Sequence, residues 1–141
     1  MSGEEDKLPQ DLLHRASAGN EYAWRVDDIP EVIEAARAAN LASVGGQLQF
    51  RLPAATCECY WVEVDTYKSL PEILPWPALV KCTADTASDD FKALAERFDF
   101  LAEGRSSFPD TLGAFDDASL REAMWFVWYL TDIRTDARAR A

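Results

Sequence analysis

From Ala123 to Thr131 the chain carries no charged side chain, and Trp125, Phe126, Trp128 and Tyr129 crowd four rings into that stretch. A run this apolar has to be enclosed, and Met124–Leu130 is too short to cross a bilayer. Ser119 and Glu122 stand at capping-box spacing just before it, while Arg134, Arg138 and Arg140 follow, where cations suit the negative end of a helix dipole. The run therefore reads as the last helix, with Met124, Val127 and Leu130 on one side beside Leu120 and the rings spread around the rest. Such a helix closes the core over a sheet. Trp125 and Phe126 are expected inward, and Trp128 and Tyr129 toward an outer surface.

The remaining periodicities supply the sheet and the other helices. A short helix is expected around residues 9–17, and Tyr22, Trp24 and Val26 alternate as the first strand. In residues 27–40, Ile29, Val32, Ile33 and Ala36 recur at helical spacing, with Asp28 as N-cap, Pro30 in the first turn and Asn40 as the stop. Leu48, Phe50 and Leu52 alternate with Gln47, Gln49 and Arg51, a strand with one wet face and a bulge or bend at Gly45-Gly46. A third strand spans residues 57–65, with Tyr60, Val62 and Val64 on one face and Cys57, Cys59 and Trp61 on the other. Pro71, Pro75 and Pro77 predict a crossing loop, residues 86–103 an amphipathic helix on Phe91, Leu94, Ala95 and Phe98, and residues 104–117 a loop. The sum is an α+β fold: a small antiparallel sheet of about three or more strands packed against several helices. It forms a single domain over residues 1–141, with residues 1–8 and 136–141 expected to fray.

Chemistry is sparse. His14 is the single histidine, so a catalytic triad or a histidine-rich metal site would depend on the least regular part of the chain. Cys57 and Cys59 stand two apart on a strand, roughly 7 Å from each other, too far to share a zinc ion with Cys82 without distortion. They read as small core residues, and neither a metal nor a cofactor is expected. Glu58, Glu63 and Asp65 on the third strand, Asp27 and Asp28, and Asp89 and Asp90 read as solvated charges and helix caps. The three cysteines, the acidic N-terminus and the absence of a signal pattern suit a cytoplasmic protein.

Charge and tryptophan content point to a function class. The 25 acidic and 14 basic side chains give a net charge of −11, which repels nucleic acid and anionic membranes and steers a basic partner inward. Five tryptophans, Trp24, Trp61, Trp76, Trp125 and Trp128, offer anchors for such a partner. In size, charge and tryptophan content the chain resembles bacterial immunity proteins, which neutralise toxins. The resemblance implies a non-catalytic domain that binds another protein, a basic toxin-like one, through acidic side chains around aromatic anchors. The candidate binding residues are Trp24, Glu58, Tyr60, Trp61, Glu63, Trp128 and Tyr129. Two further readings stand beside it: a pocket for a small molecule lined by Trp24, Tyr60, Trp61 and carboxylates, and a homodimer joined through the last helix.

Overall fold

The computed structural model describes residues 4–17, 21–71, 73–136 and 139–140. Its centre is a four-stranded antiparallel sheet in the order β1-β5-β2-β3, built from β1 (Ala23–Trp24), β2 (Ala42–Arg51), β3 (Thr56–Asp65) and β5 (Met124–Thr131). The helices are α1 (Gln10–Arg15), α2 (Ile29–Ala38), α3 (Trp76–Arg97), α4 (Phe100–Ser107), α5 (Pro109–Leu112) and α6 (Asp117–Ala123). A second, two-stranded parallel pair joins β4 (Leu74–Pro75) to β6 (Ala139–Arg140). This is the expected α+β architecture, an antiparallel sheet packed against helices. Among the described residues no helix is long and apolar enough to cross a membrane.

The aromatic run is a strand and not a helix. Met124–Leu130 lies in β5, between β1 and β2, with Leu48 paired to Phe126 and Gly46 to Trp128. Helix α6 ends at Ala123, and its N-cap is Asp116, whose carboxylate accepts from the Ser119 N–H at 2.8 Å. The expected cap at Ser119 is therefore three positions late, and the helix stops where the rings begin. Bulky aromatic and β-branched residues fit a pleated surface better than a helix turn, and a central strand covered on both faces can be apolar on both. Phe126, Trp128 and Leu130 face the helices and join the main core, while Val127, fully buried, lies on the opposite face between Trp125 and Tyr129.

That second face is closed by polar side chains. Arg51, on β2, donates to the Ser17 hydroxyl at 3.0 Å and to the Glu21 carbonyl at 3.0 Å, and the Tyr129 hydroxyl donates to the Glu21 carboxylate. The chain leading into β1 is thus fastened to the sheet. Arg25 covers Trp125, its guanidinium 3.8 Å from the ring centroid, and donates to the Arg121, Glu122 and Met124 carbonyls. One side chain satisfies the last carbonyls of α6 and shields the first ring of β5.

Helix α2 follows the expected pattern, burying Ile29, Val32, Ile33 and Ala36. It ends at Ala38, and Asn40, two residues on, takes the left-handed region at φ 63°, with the Leu41 N–H closing on the Ala36 carbonyl at 2.9 Å. Asp28 stands at its N-cap as expected, but its side chain makes no capping bond; the carboxylate pairs with Arg15 instead, at 2.8 Å. The prolines before α3 open a helix rather than prolong a loop, because Pro77 occupies the first turn, where no N–H is needed. The helix expected over 86–103 is divided at Phe98, whose extended backbone lets Asp99 cap α4 through the Ala102 N–H at 3.1 Å. Residues 104–117, expected as loop, hold the end of α4 and all of α5.

Between Ser43 and Gly45, at the start of the glycine pair, the pairing of β2 with β5 shifts register, and Gly45 adopts φ 139°. A Cβ on Gly45 would stand 2.0 Å from the Val64 carbonyl oxygen, and one on Gly46 would stand 1.6 Å from that of Val127. Each glycine therefore lets a flanking strand come close to β2. Parts of both ends expected to fray make contacts with the fold. Glu4, Glu5 and Leu8 are buried, Lys7 pairs with Asp132 at 3.1 Å, and Ala139–Arg140 forms β6. The remaining terminal positions expected to fray, 1–3, 137, 138 and 141, lie outside the described residues.

Candidate functional site

Strand β3 is an edge strand. Its pairing with β2 runs from Arg51↔Thr56 to Leu48↔Cys59 and resumes at Gln47↔Glu63, so Tyr60, Trp61 and Val62 have no partner residue. Val62 turns into the core, and the other two stand out from the edge. The bulge breaks the alternation read from sequence. Cys57, Cys59, Val62 and Val64 share the buried face, while Tyr60 parts from Val62 and Val64, and Trp61 from Cys57 and Cys59, the residues each was expected to accompany. The two rings are the largest aromatic surfaces the described residues leave open, 62% and 46% exposed.

Each ring is fixed by a carboxylate. The Tyr60 hydroxyl donates to Glu58 at 2.5 Å, and the other Glu58 oxygen accepts from the Gln49 side chain at 3.0 Å. The Trp61 indole N–H donates to Glu103 of α4 at 2.8 Å. Tyr60 thus leans toward the polar face of the sheet, and Trp61 toward the helix layer. The bond to Glu58 raises the Tyr60 pKa above its ordinary value, because an anion beside the hydroxyl disfavours losing its proton. Glu63 is exposed on the same strand. Among the described residues no cation lies within ion-pair distance of Glu58, Glu63 or Glu103. Several cations pair elsewhere: Arg15 with Asp11, Asp28 and Glu31, Arg37 with Glu34 and Asp85, Arg105 with Asp117, and Lys7 and Arg134 with Asp132.

Glu58, Tyr60, Trp61 and Glu63 are brought together here; the other three candidates are not. Trp24 is enclosed in the core, its indole donating to the Leu12 carbonyl at 2.8 Å. Trp128, expected at an outer surface, is also enclosed and donates to the Ser43 hydroxyl at 3.2 Å. The correction follows from period two in place of period 3.6, which puts Trp128 on the same side as Phe126. Tyr129 is partly buried on the polar face, and burial followed by its bond to Glu21 pushes its pKa up to about 12. A pocket lined jointly by Trp24, Tyr60 and Trp61 does not form, because Trp24 has no open surface. Glu103 was not legible in advance: it meets Trp61 from 42 positions away.

Comparison of the chain with models of known families, with curated proteins and with solved structures finds no match. Function has to be argued from the site alone.

Other chemistry-bearing residues are dispersed. Cys57 and Cys59 are buried beneath β3, with burial pushing the Cys59 thiol up to about 11, whereas Cys82 is exposed on α3. His14 is exposed on α1. Among the described residues no group of three or more histidine, cysteine or carboxylate side chains is placed to hold a metal ion. A groove of about 470 Å³ runs between α2 and α3, lined by Pro30, Ile33, Phe91 and Ala95 with Lys92 and Glu96 at its rim.

Proposed function

We propose that this chain is a non-catalytic protein-binding domain of the immunity-protein kind, which engages a basic, toxin-like protein through the bulged edge of β3. One observation carries the reading: Tyr60 and Trp61 stand side by side in solvent, each hydrogen-bonded to a carboxylate that has no cationic partner among the described residues. Tyrosine and tryptophan are the residue types that most often anchor interfaces, since their rings bury large areas while ordering few torsions. Here the hydrogen bonds hold both rings before any partner arrives, which lowers the ordering cost of association. The net charge of −11 adds long-range attraction for a cationic surface.

The homodimer reading loses its proposed interface, because residues 124–130 lie in the middle of the sheet.

Capture from the source cell at low salt, run in parallel with wild type and with the Tyr60→Ala/Trp61→Ala double variant, tests the reading. A basic protein should bind wild type and drop at least tenfold with the variant, whose melting should change little because both rings are largely in solvent. The association rate should fall as salt rises, the Debye length being about 10 Å at 0.1 M. Recovery of the same proteins, in the same amounts, with both baits would refute the proposal.

A further inference from the structure

The partner's chemistry can be read more closely from how the two rings are held, an inference that rests on the docking role given to β3. An exposed tyrosine or tryptophan presents a ring face with a negative quadrupole, which attracts a cation placed over it. At Tyr60 and at Trp61 a carboxylate is also fixed at the polar edge of the ring, at 2.5 Å and 2.8 Å. A flat cation lying on such a ring can point its in-plane N–H groups at that carboxylate. Arginine has this shape; lysine, a point charge on a flexible stem, does not.

The same fold already stacks one arginine on an indole ring with a carboxylate nearby, its N–H groups also meeting main-chain carbonyls. Arg25 lies 3.8 Å over Trp125 with its guanidinium 3.5 Å from the Glu122 carboxylate. At the β3 bulge the ring and the carboxylate are present twice, and among the described residues no cation lies over either ring. The bulge also decides against strand addition. Three consecutive residues without partners break the edge into two short pieces, and the carboxylates of Glu58 and Glu63 flank the break. Recognition at this edge runs through side chains.

We infer that Tyr60 with Glu58, and Trp61 with Glu103, are receptors for two arginine side chains of the partner protein. Because Glu58 is held by Gln49 on the polar face of the sheet and Glu103 belongs to α4, the two arginines approach from opposite sides of the β3 edge. The partner therefore carries a pair of arginines that straddle a ridge.

Two-dimensional NMR of the whole chain, titrated with the blocked peptide Gly-Arg-Gly-Arg-Gly, tests this with a defined probe. The Trp61 indole N–H is assigned by its loss in Trp61→Phe, and the Tyr60 ring by its loss in Tyr60→Phe. Both signals should shift saturably, at least tenfold more tightly with the arginine peptide than with its neutral citrulline analogue, and several-fold more tightly than with the lysine peptide. Glu58→Gln should weaken the response of Tyr60 alone, and Glu103→Gln that of Trp61 alone, with the remaining spectrum marking each variant as folded. Equal responses to arginine and citrulline would overturn the arginine assignment and leave the docking role of β3 standing. Silence at both rings, with shifts only at other carboxylates, would overturn the receptors; the docking role would fall with them only if the Tyr60→Ala/Trp61→Ala variant also kept its captured partner.

Discussion

Replacing Phe126 by alanine reaches the centre of the core. The ring is fully buried and meets Phe91 edge-on at 5.1 Å between centroids, Trp128 at 6.1 Å and Phe100 at 6.3 Å. Truncating a buried phenylalanine costs about 3–5 kcal/mol, because lost transfer energy and an unfilled cavity add. Each lost aromatic pair contributes about 0.5–1.5 kcal/mol beyond buried area, which places Phe126→Ala near the upper end of that range. Trp128→Ala should match it, since the change also strips the Ser43 hydroxyl of its indole donor. Trp125→Ala removes a half-buried ring and its stacking with Arg25, for about 1–2 kcal/mol, and Tyr129→Ala should cost a similar amount. Costs should therefore rise at 126 and 128 and fall at 125 and 129. Urea unfolding of the four single variants, followed by far-ultraviolet circular dichroism and fitted with a common slope, would read this directly. A scan that grouped 125, 128 and 129 as costly and left 126 cheap would have the period of a helix, and would refute the placement of β5.

Three further outcomes follow from particular contacts. Gly46→Ala should cost about 3 kcal/mol or more, because its Cβ would meet the Val127 carbonyl oxygen, part of a paired strand that has no room to retreat; a melting temperature unchanged from wild type would contradict the sheet packing. Tyr129 is held protonated to about pH 12, so its contribution to stability should be complete below the ordinary tyrosine value of about 10 and disappear as pH rises to about 12; Tyr129→Phe should lack that alkaline loss in pH-dependent urea midpoints. With a thiol-specific chromogenic reagent the native chain should release one equivalent quickly, from exposed Cys82, while Cys57 and Cys59 react only on unfolding; rapid reaction of all three would place the β3 cysteines outside the core.

The legible parts of the chain were those with polar side chains confined to one face. In α2, and in β2 from Gln47 to Arg51, polar side chains mark the period, so both could be read from spacing alone. In β5 both faces are covered, the period-two signal is erased, and a short apolar run does not separate strand from helix. Its length and its four rings were the better guide. The break at Phe98 and the cap at Asp99 also had a local signal, an acceptor side chain followed by a free N–H three residues on. The site was half legible: Glu58, Tyr60, Trp61 and Glu63 were singled out as binding residues, but together with Trp24 and Trp128, which the core encloses. Their arrangement depends on three residues of β3 that find no counterpart on β2, a mismatch between two strands that neither one encodes by itself.

The place of β5 in the sheet sets an order of events. The strand that joins β1 to β2 is the last long one in the chain, and Ser43 and Trp128, which hydrogen-bond across this junction, are 85 positions apart. During synthesis, only the β2–β3 hairpin can form its ladder early. Until Thr131 has emerged, β1 has no strand of the main sheet beside it and β2 keeps a bare edge. Closing so long a loop is slow, and an unpaired apolar edge is where nascent chains associate wrongly. A ribosome stalled near residue 120 should thus hold a protease-sensitive chain, and one stalled some 40 residues beyond a C-terminal linker a resistant one.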